Sequence, residues 1–198
     1  LAEKSIEIKS LIINDLLLKY FSSYLVQKKV VTEKDKQQLY CDMLIIVDMK
    51  MLFSQVIRET INKVKQLYNS EDILKDQNQR NSLRNLGSWL GLITLSRNRP
   101  LLLKEINIKE LIADGYQSGK LHIAVVLTSK ILEGSLVERK NRIFHPKNPW
   151  ILAISNILIE IYHLPCIEKN IRFEIEIALK KFDIDPAKLT PVTKLTES

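Results

Sequence analysis

Apolar residues recur at three- and four-residue steps along almost the whole chain, and only five glycines and six prolines interrupt its 198 residues. Positions three and four apart share a helix face, so this spacing lays one apolar stripe on each of a series of helices. Ile6, Ile13, Leu16, Leu17, Tyr20, Tyr24 and Leu25 mark a first long helix, closed by Lys28-Lys29-Val30-Val31. Thr32 reads as the N-cap of a second, whose face is Leu39, Tyr40, Met43, Leu44 and Val47. A third runs from Met51 to Tyr68, and the polar stretch Asn69 to Asn81 reads as a loop with at most one turn at Ile73 and Leu74. The fourth spans Ser82 to Leu95 and is stopped by Pro100. Two more, Ile108 to Tyr116 and Leu121 to Val137, are joined at Gly119. Asn148 and Pro149 cap a seventh, Trp150 to His163, and the eighth runs from Glu168 to Phe182.

Eight helices in consecutive short-looped pairs, with no convincing strand, predict an all-α chain. Pairs of about 40 residues stacked side by side make an α-solenoid of the HEAT type. A globular helix bundle has the same periodicity and stays open as the alternative. With 45% hydrophobic residues the chain buries enough surface to offset its ordering entropy, which excludes global disorder. Residues 1–189 read as one helical-repeat domain and 190–198 as a polar tail. The first residue is not Met, and the chain reads as a piece of a longer polypeptide. Cys41 and Cys166 suggest neither a disulfide framework nor a metal-ligand spacing, and point to a reducing compartment. No apolar run reaches the roughly 18 to 20 residues a bilayer span needs. The net charge of +7 is spread over both halves, alongside an excess of Lys, Ile and Asn, and carries little argument for nucleic acid by itself.

Catalytic patterns fail in turn. Gly87-Ser88-Trp89-Leu90-Gly91 lacks the Lys-Ser/Thr of a phosphate loop and falls inside a helix. Two glycines one turn apart there cost about 1 kcal/mol each against Ala, which predicts a close approach by another element. His122, His145 and His163 are scattered, and Glu174 and Glu176 are two apart and do not share a face. No metal, cofactor or catalytic group is expected. Two loop clusters, Arg97/Arg99 and Arg139/Arg142, read first as solvated charge, with no aromatic residues interleaved for base stacking, and direct RNA contact is not expected; a direct RNA-binding module in which they touch phosphates is the alternative function. The loop Ile143 to Trp150 holds two prolines with an aromatic near each end. Phe144 and Trp150 there either pin the loop to the core or dock a partner.

The blocks Asn85-Leu86-Gly87-Ser88-Trp89-Leu90-Gly91-Leu92-Ile93-Thr94-Leu95, Arg97-Asn98-Arg99-Pro100, Phe144 to Trp150 and Arg172-Phe173-Glu174-Ile175-Glu176 carry a resemblance. In order and spacing they resemble the central nuclease-docking domain of the scaffold subunit of the Ccr-Not mRNA deadenylase complex, related to the middle domain of initiation factor 4G. Ser82 to Leu189 match in these blocks, and residues 1–81 mainly in helical layout. The resemblance implies about five HEAT-like helix pairs and a non-catalytic module. It implies docking of a DEDD-type polyA deadenylase and of a DEAD-box RNA helicase, with roles in deadenylation, translational repression and mRNA decay. Cytoplasmic localisation, mRNA-processing bodies included, and a nuclear pool follow from the same resemblance. Carried onto this sequence, the deadenylase side is Arg97, Asn98, Arg99, Pro100, Leu101 and Tyr116, with Pro100 and Leu101 offered for burial and Asn98 for backbone hydrogen bonds. The helicase side is Arg58, Glu59 and Lys63, joined by Phe144, Asn148 and Trp150. Glu138 to Arg142 is more basic than the family pattern, and Ser88 stands where a larger polar residue is usual.

Overall fold

The computed structural model describes residues 2–12 and 14–190, and these form nine α-helices and no strand. They are α1 (Ala2–Leu11), α2 (Asp15–Tyr24), α3 (Gln37–Val47), α4 (Lys50–Tyr68), α5 (Gln77–Ile93), α6 (Ile108–Gln117), α7 (Leu121–Leu132), α8 (Pro149–His163) and α9 (Lys169–Lys180). The odd helices stack in order, α1 on α3, α3 on α5, α5 on α7 and α7 on α9, while α2 packs on α4 and α6 on α8. Consecutive helices α4 and α5, α6 and α7, and α8 and α9 also pack together. The result is a two-layer α-solenoid, the odd helices stacked in one layer and the even helices in the other, with one continuous apolar core.

The single first helix of the sequence reading is two helices. Asn14 breaks it by capping α2, its Oδ1 accepting from the Leu17 N–H at 2.9 Å. The face turned inward also differs. Ser5, Ile12, Leu18 and Ser22 are buried, whereas Ile6, Leu16, Tyr20 and Tyr24 face outward; Ile13 lies outside the described residues. Past Tyr24 the helix widens into a π-helical turn, Leu25–Val30, that carries Leu25, Val26 and Val30 into the core. Gln37 and Asn85 secure its end, the Gln37 amide donating to the Val30 and Asn85 carbonyls and the Asn85 amide to the Val31 carbonyl at 2.8 Å. Thr32 does not open α3. Its hydroxyl donates back to the Lys28 carbonyl at 2.7 Å, and a 3-10 turn at Lys34–Lys36 leads into α3 instead.

Helix α5 starts at Gln77 rather than Ser82, because Asp76 accepts from the Asn78 and Gln79 N–H groups. The polar Gln77 to Asn81 stretch, read as loop for its composition, is the exposed first turn of a capped helix. Further along α5, Trp89 is fully buried and its indole N–H donates to the Thr60 hydroxyl at 3.2 Å, fastening α5 to α4. Gly91 lets the turn after α7 cross α5 at backbone contact, which is the close approach that the glycine pair predicts: a Cβ there would meet the Ile131 carbonyl oxygen. That crossing brings the connection after α7 alongside the turn after α5.

Candidate docking surfaces

Helix α5 ends in a 3-10 turn, Leu95–Arg97, followed by Asn98 in the left-handed region at φ 58. Asparagine takes this conformation at less cost than other side-chain-bearing residues. Both ends of its amide are engaged within the chain. Nδ2 donates to the Asn141 carbonyl at 3.0 Å and Oδ1 accepts from the Ile143 N–H at 2.7 Å. The bonds read from sequence as available to a partner therefore hold the 137–148 connection to the α5 turn. Asn141, at φ 56, is left-handed as well.

Arg99 lies over the Phe53 ring, its guanidinium carbon 4.3 Å from the centroid. Arg97 is half-buried and has no ion pair among the described residues, and with Arg99 it lines a cleft shared with Leu44, Asp48, Met49 and Lys50. Leu101, read as an apolar group awaiting a partner, is already in the core at 7% exposure. The exposed apolar surface of this turn comes from residues that periodicity did not single out: Leu102 and Leu103, the latter 69% exposed, next to exposed Pro100. A tight turn fixes them. The Glu105 and Ile106 N–H groups both donate to the Leu102 carbonyl, at 2.9 and 3.0 Å, while Leu101 and Ile106 anchor its two sides. Beside it runs a groove lined by Val64, Tyr68, Leu103, Asn107 and Leu111. Tyr116 is exposed near the C-terminus of α6.

Arg58, Glu59 and Lys63 lie on α4. Arg58 is exposed and lines a second cleft with Lys19, Met51 and Gln55. Glu59 accepts from the Gln55 amide at 2.9 Å, and Lys63 donates to Gln66 at 3.0 Å. Phe144, Asn148 and Trp150 are elsewhere and tied to one another. Phe144 and Trp150 meet edge to face at 6.3 Å between centroids, both packed on the core. Asn148 caps α8 through the Trp150 N–H at 2.9 Å and donates to the Ile143 carbonyl at 3.0 Å. No hydrogen bond, ion pair or ring contact among the described residues joins this loop to Arg58, Glu59 or Lys63. Asn98 joins it instead to the α5 turn.

The remaining chemistry is sparse. Among the described residues no group of three or more His, Cys, Asp or Glu side chains is placed to hold a metal ion. No helix among them is long and apolar enough to cross a membrane. Burial pushes the Cys41 thiol up to about 11, with Asp42 adding to the shift and nearby Arg139 opposing it. A thiol held protonated in the core is not a nucleophile.

An exposed apolar turn and two charged faces on a rigid helical array are features of a binding module, and comparison with known proteins agrees. General negative regulator of transcription subunit 1 of Schizosaccharomyces pombe is 31% identical over 174 residues, 88% of this chain and 8% of that protein. The CCR4-NOT transcription complex subunit let-711 of Caenorhabditis elegans is 31% identical over 176 residues, 86% of this chain and 7% of its own length. General negative regulator of transcription subunit 1 of Saccharomyces cerevisiae is 31% identical over 172 residues, covering 87% and 8%. The chain thus spans less than a tenth of the length of these relatives. The family model of the CCR4-NOT transcription complex subunit 1 CAF1-binding domain matches residues 1–198 from end to end, and the chain belongs to that family.

Proposed function

We propose that this chain is a non-catalytic scaffold module that docks a CAF1-type, DEDD-class polyA deadenylase, and that the Pro100 to Leu103 turn with its adjoining groove is the docking surface. The observation that carries the reading is Leu103, a large apolar side chain 69% exposed on a turn whose flanks are buried. A prearranged apolar projection beside a groove buries area on binding without the entropy cost of ordering a loop. Membership of the CAF1-binding domain family supports the choice of partner. Arg97, on the turn just before Pro100, supplies polar rim on that side, and exposed Tyr116 lies at the opposite, C-terminal end of α6. Asn98, Arg99 and Leu101 contribute by holding the turn in place.

The mechanism is tethering. A nuclease held beside its transcript meets the tail at an effective concentration set by the tether rather than by diffusion from bulk. The outer face of α4, with Arg58, Glu59 and Lys63, is the proposed contact for a DEAD-box helicase, since its mixed charges suit a polar partner surface. Promotion of deadenylation, translational repression and decay of cytoplasmic mRNA follows from that assembly. Co-purification of the chain with the deadenylase tests the reading. Binding at micromolar concentration or tighter supports it, and no association with a cognate deadenylase overturns it.

A further inference from the structure

Half of the chain's eight arginines, Arg97, Arg99, Arg139 and Arg142, sit on two connections 40 residues apart in sequence. The structure makes them one surface. Asn98, between Arg97 and Arg99, exchanges two hydrogen bonds with the backbone of Asn141 and Ile143, which flank Arg142. Arg139 lies on the same connection as Arg142, and the last turn of α3, at Leu44 and Ile45, with Asp48 just past its end, lines the cleft holding Arg97 and Arg99.

None of the four guanidinium groups has a carboxylate partner among the described residues. Arg99 is held on the Phe53 ring, which orients the group without neutralising it, and Arg142 makes one long contact, at 3.5 Å, to the Ser135 carbonyl. By contrast Arg84 pairs with Glu174, and Arg80 and Arg172 donate to backbone carbonyls at shorter range. Lys50 lines the cleft, and Lys140 and Lys147 lie on the second connection, whereas Asp48 of the cleft and Glu138 of the connection are the carboxylates of the same two segments, so cations outnumber anions there.

We infer that this merged arginine surface binds the phosphate backbone of single-stranded RNA. Guanidinium groups present planar, bidentate donors that match phosphate oxygens. Of the apolar residues of the cleft, Leu44 and Phe53 are buried and Ile45 and Met49 half-buried, and its one aromatic, Phe53, is covered by Arg99, so the cleft lacks the exposed aromatic anchor of a protein hot spot. The same lack of a stacking platform makes the recognition indifferent to base identity. The surface adjoins the Pro100 to Leu103 turn but goes beyond the docking function. Failure of RNA binding leaves deadenylase docking intact, and the reverse also holds.

The test is fluorescence anisotropy of labelled oligo(A) and oligo(U) with the complete 198-residue chain across a salt series. Four phosphate contacts on a single strand give a slope of log affinity against log salt of about −3, equal for the two sequences. Arg97→Gln, Arg139→Gln and Arg142→Gln together are expected to weaken binding at least tenfold and reduce the slope to about −1. Lys9→Gln, Lys109→Gln and Lys169→Gln, which remove the same charge elsewhere, should leave affinity within twofold. Asn98→Ala, which changes no charge but releases the second connection, should weaken binding severalfold with the helical circular dichroism signal retained. No RNA binding, equal losses from the arginine and lysine sets, or binding of a polyglutamate peptide in place of RNA would overturn the inference.

Discussion

Gly91 and Gly134 meet backbone to backbone: a Cβ built on Gly134 would stand 2.2 Å from the Gly91 carbonyl oxygen. The Ile131 carbonyl oxygen would lie 2.3 Å from a Cβ on Gly91. Relief requires the turn after α7 to move off α5. Gly91→Ala and Gly134→Ala are therefore each expected to lose about 1–3 kcal/mol or more in urea unfolding. A Cβ on Gly119 would have no neighbour within 4 Å, so Gly119→Ala should cost only the left-handed backbone penalty of about 1–2 kcal/mol. Equal stability of the Gly134→Ala and parent proteins would show that the crossing is not close.

Trp89 should be the most sensitive single core position. Its burial is complete, and its N–H meets a Thr60 hydroxyl that itself donates to the Val56 carbonyl. Trp89→Ala is expected to cost about 3–5 kcal/mol. Trp89→Phe should cost less, because Thr60 keeps its bond to Val56 and loses only a donor. Chemical denaturation of the two variants checks the order.

The π-helical segment and α3 are linked by a carboxylate with a pH signature. Lys29 donates to Glu33 at 2.8 Å, and this bond, with those from the Tyr40 hydroxyl and Lys36, holds the Glu33 carboxyl down at about 2. The native chain takes up that proton later than the unfolded chain does. The contribution to stability is thus complete above about pH 4.5 and is lost as pH falls towards about 2. Glu33→Gln should flatten stability over that window. An NMR titration of the Glu33 carboxyl with a midpoint in the ordinary carboxylate range would contradict the assignment.

Helix content, pairing and the close approach at Gly91 were legible in the sequence because each follows from local periodicity or from the cost of a mid-helix glycine. The first stripe misled for a physical reason. Ile6, Leu16 and Tyr20 are apolar yet exposed, while Ser5 and Ser22 are buried, and Ser22 achieves this by donating to the Leu18 carbonyl within its own helix. A pattern of hydrophobicity cannot anticipate a polar group satisfied that way. At the turn after α5, the sequence offered Leu101 for burial against a partner, whereas Leu101 is in the core and Leu103 is the exposed leucine exchanged for it in the proposed docking surface. Which leucine of three in a row enters the core depends on the turn closed on the Leu102 carbonyl, and no periodicity exists there to reveal it. The sequence singled out Asn98 for backbone hydrogen bonds, but its partners within the chain, Asn141 and Ile143, lay beyond sequence reasoning because they are more than 40 residues away.

The leucine exchange separates docking from folding. Leu101→Asp puts a charge into the core, and it should lower the thermal midpoint sharply and lose partner binding together with fold. Leu102→Asp and Leu103→Asp place the same charge on the surface. Their helical circular dichroism and thermal midpoints should stay close to the parent values, within about 0.5 kcal/mol of stability.

Affinity for the deadenylase of the parent chain and of Leu103→Asp, measured by titration calorimetry on samples with matched melting curves, decides whether this turn is the docking surface. The docking account predicts at least a tenfold loss of affinity for Leu103→Asp with folding unchanged. Undiminished binding by a folded Leu103→Asp chain would contradict the assignment of the docking surface to this turn.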